Sequence, residues 1–197
     1  MAHSMALAIS LTSMRGRFEP TAIVGAFLVE LDAHEDERGL FARTFCEQAF
    51  AQADIDMRVV QTNISRNPTA GTLRGMHFQA PPNEEAKLIQ CVRGRIFDVA
   101  IDLRRDASSY RRSVCTELAA EDNRLFFISP GCAHGFLTLE GNSDVCYYMG
   151  AAFVPGAGRG VRWNDPAFDI PWPQRPRLIS ARDASYPDYA ISSAASV

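Results

Sequence analysis

Four side chains in this sequence could move a proton or steady an anion: His77, His134, Lys87 and Tyr147. His77 lies in GTLRGMHFQ (71–79), three residues after Arg74, in a run of strand-like character. Imidazole titrates near neutral pH, so a fixed histidine can take a proton and return it. The bland reading of a lone strand histidine, which applies equally to His134 in GCAHGFL, is a hydrogen-bonded core or rim residue. Lys87 opens the apolar run KLIQCV directly after PPNEE. A lysine there is either a fixed cation for an oxyanion or a side chain reaching out to water. Tyr147 and Tyr148 in DVCYYMG alternate across a strand, so one faces inward and the other outward. An inward tyrosine is a core aromatic unless a catalytic setting makes it an acid. Arg38, Arg74 and Arg182 are candidate phosphate contacts, against the default of surface charge.

Metal chemistry is not written into the spacing. The remaining histidines, His3 and His34, read as solvated, and no HxH or HxxxH pair occurs. A zinc or iron site wants three or four converging ligands. Cys46, Cys91, Cys115, Cys132 and Cys146 are odd in number, lack ligand spacing and fall mostly in apolar segments. They read as reduced, buried thiols of a cytoplasmic protein.

The elements that must hold these side chains are mainly strands. AFLVELDA, RVVQTNISR, KLIQCVRGRIFDVAIDLR, SVCTELA, RLFFISP, AHGFLTLEG and SDVCYYMG are β-branched or aromatic runs separated by turn residues. RGR (93–95) reads as a glycine-centred hairpin turn between two such runs. EQAFAQADI (47–55) predicts two helical turns, and AAEDN (119–123) one turn or a loop. Closely spaced turns through a mostly-strand chain predict an all-β sandwich or barrel of the jelly-roll kind. Beyond residue 154 the Gly-, Pro- and Trp-rich sequence should wrap that barrel as loops. Residues 1–19 read as a flexible extension, 20–185 as one domain and 186–197 as a tail.

Composition narrows the partners. With 197 residues, 47% of them hydrophobic and 22% charged, the chain can bury a sizeable core. A net charge of −3 and a pI near 5.8 argue against nucleic acid, which favours a basic face. No apolar run is long enough to cross a bilayer, and the N-terminus lacks the charge-first order of a signal peptide.

In order along residues 20–185, DERGLF, QTNIS, GTLRGMHFQAPPNEEAKLIQCVRGRIFDVAIDLR, GCAHGFLTL, DVCYYMG, RGVRWNDPAFDIPWP and LISARD together resemble the dTDP-4-dehydrorhamnose 3,5-epimerase family. These are cupin-fold, metal-independent enzymes of nucleotide-sugar metabolism. The resemblance implies a cupin double-stranded β-helix and a dTDP-4-keto-6-deoxyhexose substrate, with neither metal nor organic cofactor. It also implies a homodimer with exchanged N-terminal strands. By position, His77 matches the general base, Asp183 its carboxylate partner, Lys87 the cation near the keto oxygen and Tyr147 the proton donor on the opposite face. His134 matches a pocket-lining residue, and Gln61 and Asn63 positions on the substrate-facing strand. Arg74 and Arg38 match diphosphate contacts, the second supplied by the neighbouring subunit.

Two positions depart from the family's pattern. Phe153 stands where relatives often carry a tyrosine, keeping aromatic surface without a hydroxyl, and Arg43 stands where an acidic residue is frequent. A one-centre epimerase, a metal-dependent cupin and a binding protein without activity are the alternative readings.

Overall fold

The computed structural model describes residues 16–189. The chain opens with β1 (Arg17–Pro20) and β2 (Phe27–Glu30), then a hairpin of β3 (Ala33–Asp36) and β4 (Gly39–Ala42), then helix α1 (Glu47–Gln52). Eight longer strands follow: β5 (Gln61–Asn67), β6 (Thr72–Gln79), β7 (Lys87–Arg93), β8 (Arg95–Asp102), β9 (Ser113–Ala119), β10 (Arg124–Ile128), β11 (Cys132–Thr138) and β12 (Ser143–Met149). Short strands β13 (Gly158–Gly160) and β14 (Leu178–Ile179) and helix α2 (Ala181–Ala184) close the described chain.

Two sheets stack into the expected jelly roll. One has the order β1-β2-β10-β7-β12-β5, the other β13-β6-β11-β8-β9, with β14 parallel to β6. Between them lie Ile89, Cys91, Ile96, Leu118, Phe126, Phe136 and Val145, all fully buried. Both outer faces are covered as well. Helix α1 and its flanks place Phe50, Ile55 and Met57 over Leu88, Leu125 and Phe127 of the first sheet. The loops after residue 160 place Val161, Phe168 and Trp172 over Met76, Val99, Ile101 and Ala133 of the second. This double cover explains why every residue of β11 is buried: a strand covered on both faces loses the alternation of a half-exposed one.

Several expectations are corrected. β7 and β8 form no hairpin, because they belong to different sheets. Only Gly94 separates them, fewer than the two loop residues a tight hairpin needs. At a φ of +70° Gly94 turns the corner against Ser143, where a Cβ would lie 2.6 Å from the serine hydroxyl. The helical run stops at Gln52, since Asp54 adopts a left-handed φ of 58°. AAEDN, by contrast, forms the single turn expected of it, a 3-10 turn at Ala120–Asp122 whose Asp122 carboxylate accepts from the Ala119 amide. His34 sits on β3 and is exposed there, rather than in a loop.

Ordered contacts extend on both sides of residues 20–185. Strand β1 begins at Arg17 and pairs with β2. At the other end, the Tyr189 amide donates to Asp165, its hydroxyl meets that of Tyr110 at 3.0 Å, and Asp188 pairs with Arg162. Residues 1–15 and 190–197, which include the tail ISSAASV, lie outside the described residues. No described helix is long and apolar enough to cross a membrane.

Candidate active site

Strand β6 carries the site, and two glycines shape it. His77 lies opposite His134 of β11, and a bulge follows before Arg74 meets Phe136. At that bulge Gly75 and Gly135 pack backbone to backbone. A Cβ on Gly75 would lie 2.5 Å from the Gly135 Cα, and the Gly75 φ of +146° already excludes most side chains. The glycines of RGMHF and AHGFL therefore let the two strands approach where both histidines emerge.

Asp183 reaches His77 from 106 residues away, its Oδ1 2.8 Å from His77 Nε2. Local chemistry places it. Strand β14 pairs with Thr72 and Leu73 of β6 and delivers the chain to Ser180. The Ser180 hydroxyl caps α2 by accepting from the Asp183 amide at 3.0 Å. The second carboxylate oxygen accepts from the Gly75 N–H at 3.3 Å. Burial pushes the Asp183 carboxyl up, but the hydrogen bond and charge of His77, with Gly75 and Ser180, outweigh it and hold it below the ordinary value. In the neutral imidazole whose Nε2 donates to this carboxylate, Nδ1 carries the lone pair.

Around His77 opens a cavity of roughly 340 Å³ between the sheets. Tyr147 enters it from β12, facing inward, while the Tyr148 hydroxyl goes the other way to Thr44 and Gln90 at 3.1 and 3.3 Å. Burial raises the Tyr147 phenol far above its usual value; the charge of Asp98 adds to this and that of Arg74 opposes it. The phenol is therefore a proton carrier throughout the working range. His134 lies edge-on to the Tyr147 ring at 5.7 Å and bonds Asp98 through Nε2 at 2.7 Å. Asp98 is fully buried with one oxygen unpartnered, and burial raises its carboxyl despite the charge and hydrogen bond of His134.

Lys87 is buried rather than reaching to water, with Nζ 2.6 Å from Glu85 Oε1. Arg74 lines the cavity beside Asn63, its Nε donating to Asn67 at 2.8 Å. Gln61 sits next to it, donating to Asn63 and accepting from the Phe153 amide. Phe153 stands at the mouth, 63% exposed. Arg182 lines the cavity and donates to the Tyr186 hydroxyl, and Tyr186 lies edge-on to His77.

Arg38 is the residue the fold leaves apart. It sits at the tip of the β3–β4 hairpin, 84% exposed and paired with Asp36 at 2.5 Å, away from the cavity of its own chain. Glu85, Asp98, Gln79 and Arg159 join the site without having been singled out from the sequence. For Glu85 a signal existed: in an extended chain, residue i lies on the same side as i+2, which is Lys87. Among the described residues, no three His, Cys, Asp or Glu side chains gather as metal ligands.

Comparison with known proteins now decides the family. The family model for dTDP-4-dehydrorhamnose 3,5-epimerase matches residues 20–190. The chain belongs to this family. Among dTDP-4-dehydrorhamnose 3,5-epimerases, that of Methanothermobacter thermautotrophicus is 40% identical over 173 residues, covering 86% of this chain and 92% of its own. The Bacillus anthracis crystal structure, with TDP and PPi bound, superposes with a TM-score of 0.85 at 33% identity, covering 88% of this chain and 99% of that one. A dTDP-4-dehydrorhamnose 3-epimerase from Streptomyces niveus is 33% identical over 168 residues, covering 85% of this chain and 81% of its own. The epimerase family thus includes relatives whose names specify one centre and relatives whose names specify two.

Proposed function

We propose that this protein is an isomerase that inverts carbons 3 and 5 of a dTDP-linked 4-keto-6-deoxyhexose. Its reaction converts dTDP-4-dehydro-6-deoxy-D-glucose to dTDP-4-dehydro-L-rhamnose. The observation that carries this reading is one cavity holding a carboxylate-tethered histidine, a buried lysine and a half-buried tyrosine that faces inward.

The chemistry follows from those groups. The keto group acidifies the C–H bonds on its two neighbouring carbons. His77 takes one such proton, and the C–H electron pair moves through the carbonyl to make an enolate oxygen. Asp183 fixes the imidazole tautomer and balances the imidazolium that forms. Lys87 supplies positive charge where the oxyanion develops. Tyr147 then donates its proton to the same carbon from the opposite face, and the carbonyl re-forms. The tyrosinate regains a proton from water, and His77 returns its proton to solvent, which resets the site for the second carbon. No cofactor is needed to balance these steps.

His134 supports the Tyr147 ring, while Asn63 and Gln61 line the sugar side. Arg74 and Arg182 suit the diphosphate, because a planar guanidinium pairs bidentately with phosphate oxygens. Arg38 would reach the diphosphate of a second subunit, in a homodimer with exchanged N-terminal strands. The exposure of Leu40 and Phe41 on the same hairpin favours that assembly. All five cysteines are free thiols, in keeping with a cytoplasmic setting.

Proton NMR of the keto sugar nucleotide in D2O tests the reaction. Deuterium should enter carbons 3 and 5, and its absence from both would falsify the reading. Phe153 favours one second reading, because it puts an aromatic surface without a hydroxyl at the cavity mouth. Deuterium at a single carbon would establish that one-centre reaction instead.

A further inference from the structure

We infer that Glu85 is the positioning residue for Lys87, holding the ammonium so that one N–H is left for the cavity. The proposal rests on the epimerase reading above. Lys87 and Glu85 are only 4% and 5% exposed and meet at 2.6 Å. An ammonium at that depth needs a partner, since an unpaired buried charge is strongly destabilising. Glu85 is also the one carboxylate among the described residues lining this cavity, whose other ionisable groups are arginines, histidines, Lys87 and Tyr147. Facing a diphosphate substrate, a free carboxylate there would repel it. Paired with Lys87, it is neutralised and becomes a fixed acceptor.

The donor count gives the pairing a direction. An ammonium has three N–H donors. One meets Glu85 Oε1, and a second goes to the backbone carbonyl of His77 at 3.3 Å. The third is left for the cavity that Lys87 lines. Because the second bond ends on His77 itself, the cation and the histidine are set relative to each other.

Glu85 is anchored in turn. Its Oε2 accepts from the Gln79 amide at 3.1 Å, two residues beyond His77 on β6. The buried Gln79 side chain donates to the carbonyls of Asn83 and Ala152 and accepts from the Val154 amide at 2.7 Å. One glutamine thereby fastens both the loop that presents Glu85 and the loop that presents Phe153. Neither loop can shift without breaking one of these hydrogen bonds.

A double-mutant cycle of Glu85→Ala and Lys87→Met, with Glu85→Gln beside it, tests the assignment. Hydrogen exchange in D2O and thermal melting are both recorded. Glu85→Ala should lower kcat about 10- to 100-fold with KM little changed, as expected when an oxyanion group is displaced but present. Glu85→Gln keeps an acceptor for Nζ and should recover part of that loss. In the Lys87→Met background, Glu85→Ala should cost nothing further in kcat and should raise the melting temperature relative to Glu85→Ala alone. Wild-type kcat in Glu85→Ala, or an equal loss with and without Lys87, would overturn the proposal. A wild type that exchanges no hydrogen would overturn the epimerase reading and the catalytic role with it. The melting cycle reads the pairing separately, and additive shifts would overturn the pairing itself.

Discussion

In the proposed reaction His77 and Tyr147 divide the work on opposite faces of a sugar, and single substitutions should separate them. His77→Ala removes the base and should abolish deuterium uptake at both carbons. Tyr147→Phe keeps the ring against His134 but removes the proton, so product formation should fall about 100-fold or more. Exchange of the first proton should survive better, and the ratio of exchange to turnover measures the difference. Asp183 makes a pH prediction. Its folded carboxyl lies below the ordinary value of 3.8, so its contribution to stability is complete above that value. The contribution is lost as pH falls through the lower folded value. Asp183→Asn should therefore reduce stability at neutral pH and flatten the acid limb of a denaturation-against-pH curve. An acid limb identical to wild type would contradict the assignment.

At the scale of elements, the site depends on how closely β6 and β11 approach. Gly135 has Met76 Sδ 2.6 Å and the Arg74 carbonyl 2.8 Å from where a Cβ would stand. Both neighbours are core or backbone, so they have little room to yield. Gly135→Ala should cost roughly 1–3 kcal/mol, the usual range for overpacking a filled interior, read by urea denaturation. It should also lower activity by shifting His134 and His77 apart. At α2, Ser180→Ala removes the cap on Asp183 and should cost about 1 kcal/mol. The activity loss there should exceed what that small destabilisation explains, because the helix end aims the carboxylate.

For the whole molecule the open face is the β3–β4 hairpin. Phe41 is 72% exposed beside an apolar groove lined by Phe18, Leu31, Phe45 and Phe50, an arrangement that marks an interaction surface. If the proposed homodimer forms through this face, Phe41→Asp should shift the mass seen by light scattering from dimer to monomer. Arg38→Ala should raise KM about tenfold while leaving the dimer intact, as loss of one phosphate contact would. A raised KM in Arg38→Ala that a mixed dimer with His77→Ala subunits restores would show that the arginine serves its neighbour.

By itself the sequence determined the strand-rich jelly roll, the loop-wrapped C-terminal third and that one of Tyr147 and Tyr148 faces inward. Those follow from local pattern: β-branched runs, turn residues and period-two alternation act over a few positions. The residues of the site were named from the sequence through the family resemblance, since nothing local ties Asp183 to His77. Only the tertiary structure joined that pair, through β14 docking on β6. It also decided that β7 and β8 part at Gly94 into separate sheets, because strand pairing is chosen by which faces can be buried together. The same burial turned Glu85 from one acid in a polar loop into the partner of Lys87. A sequence states which side chains alternate; which charge a buried lysine meets depends on the packing that excludes water from both.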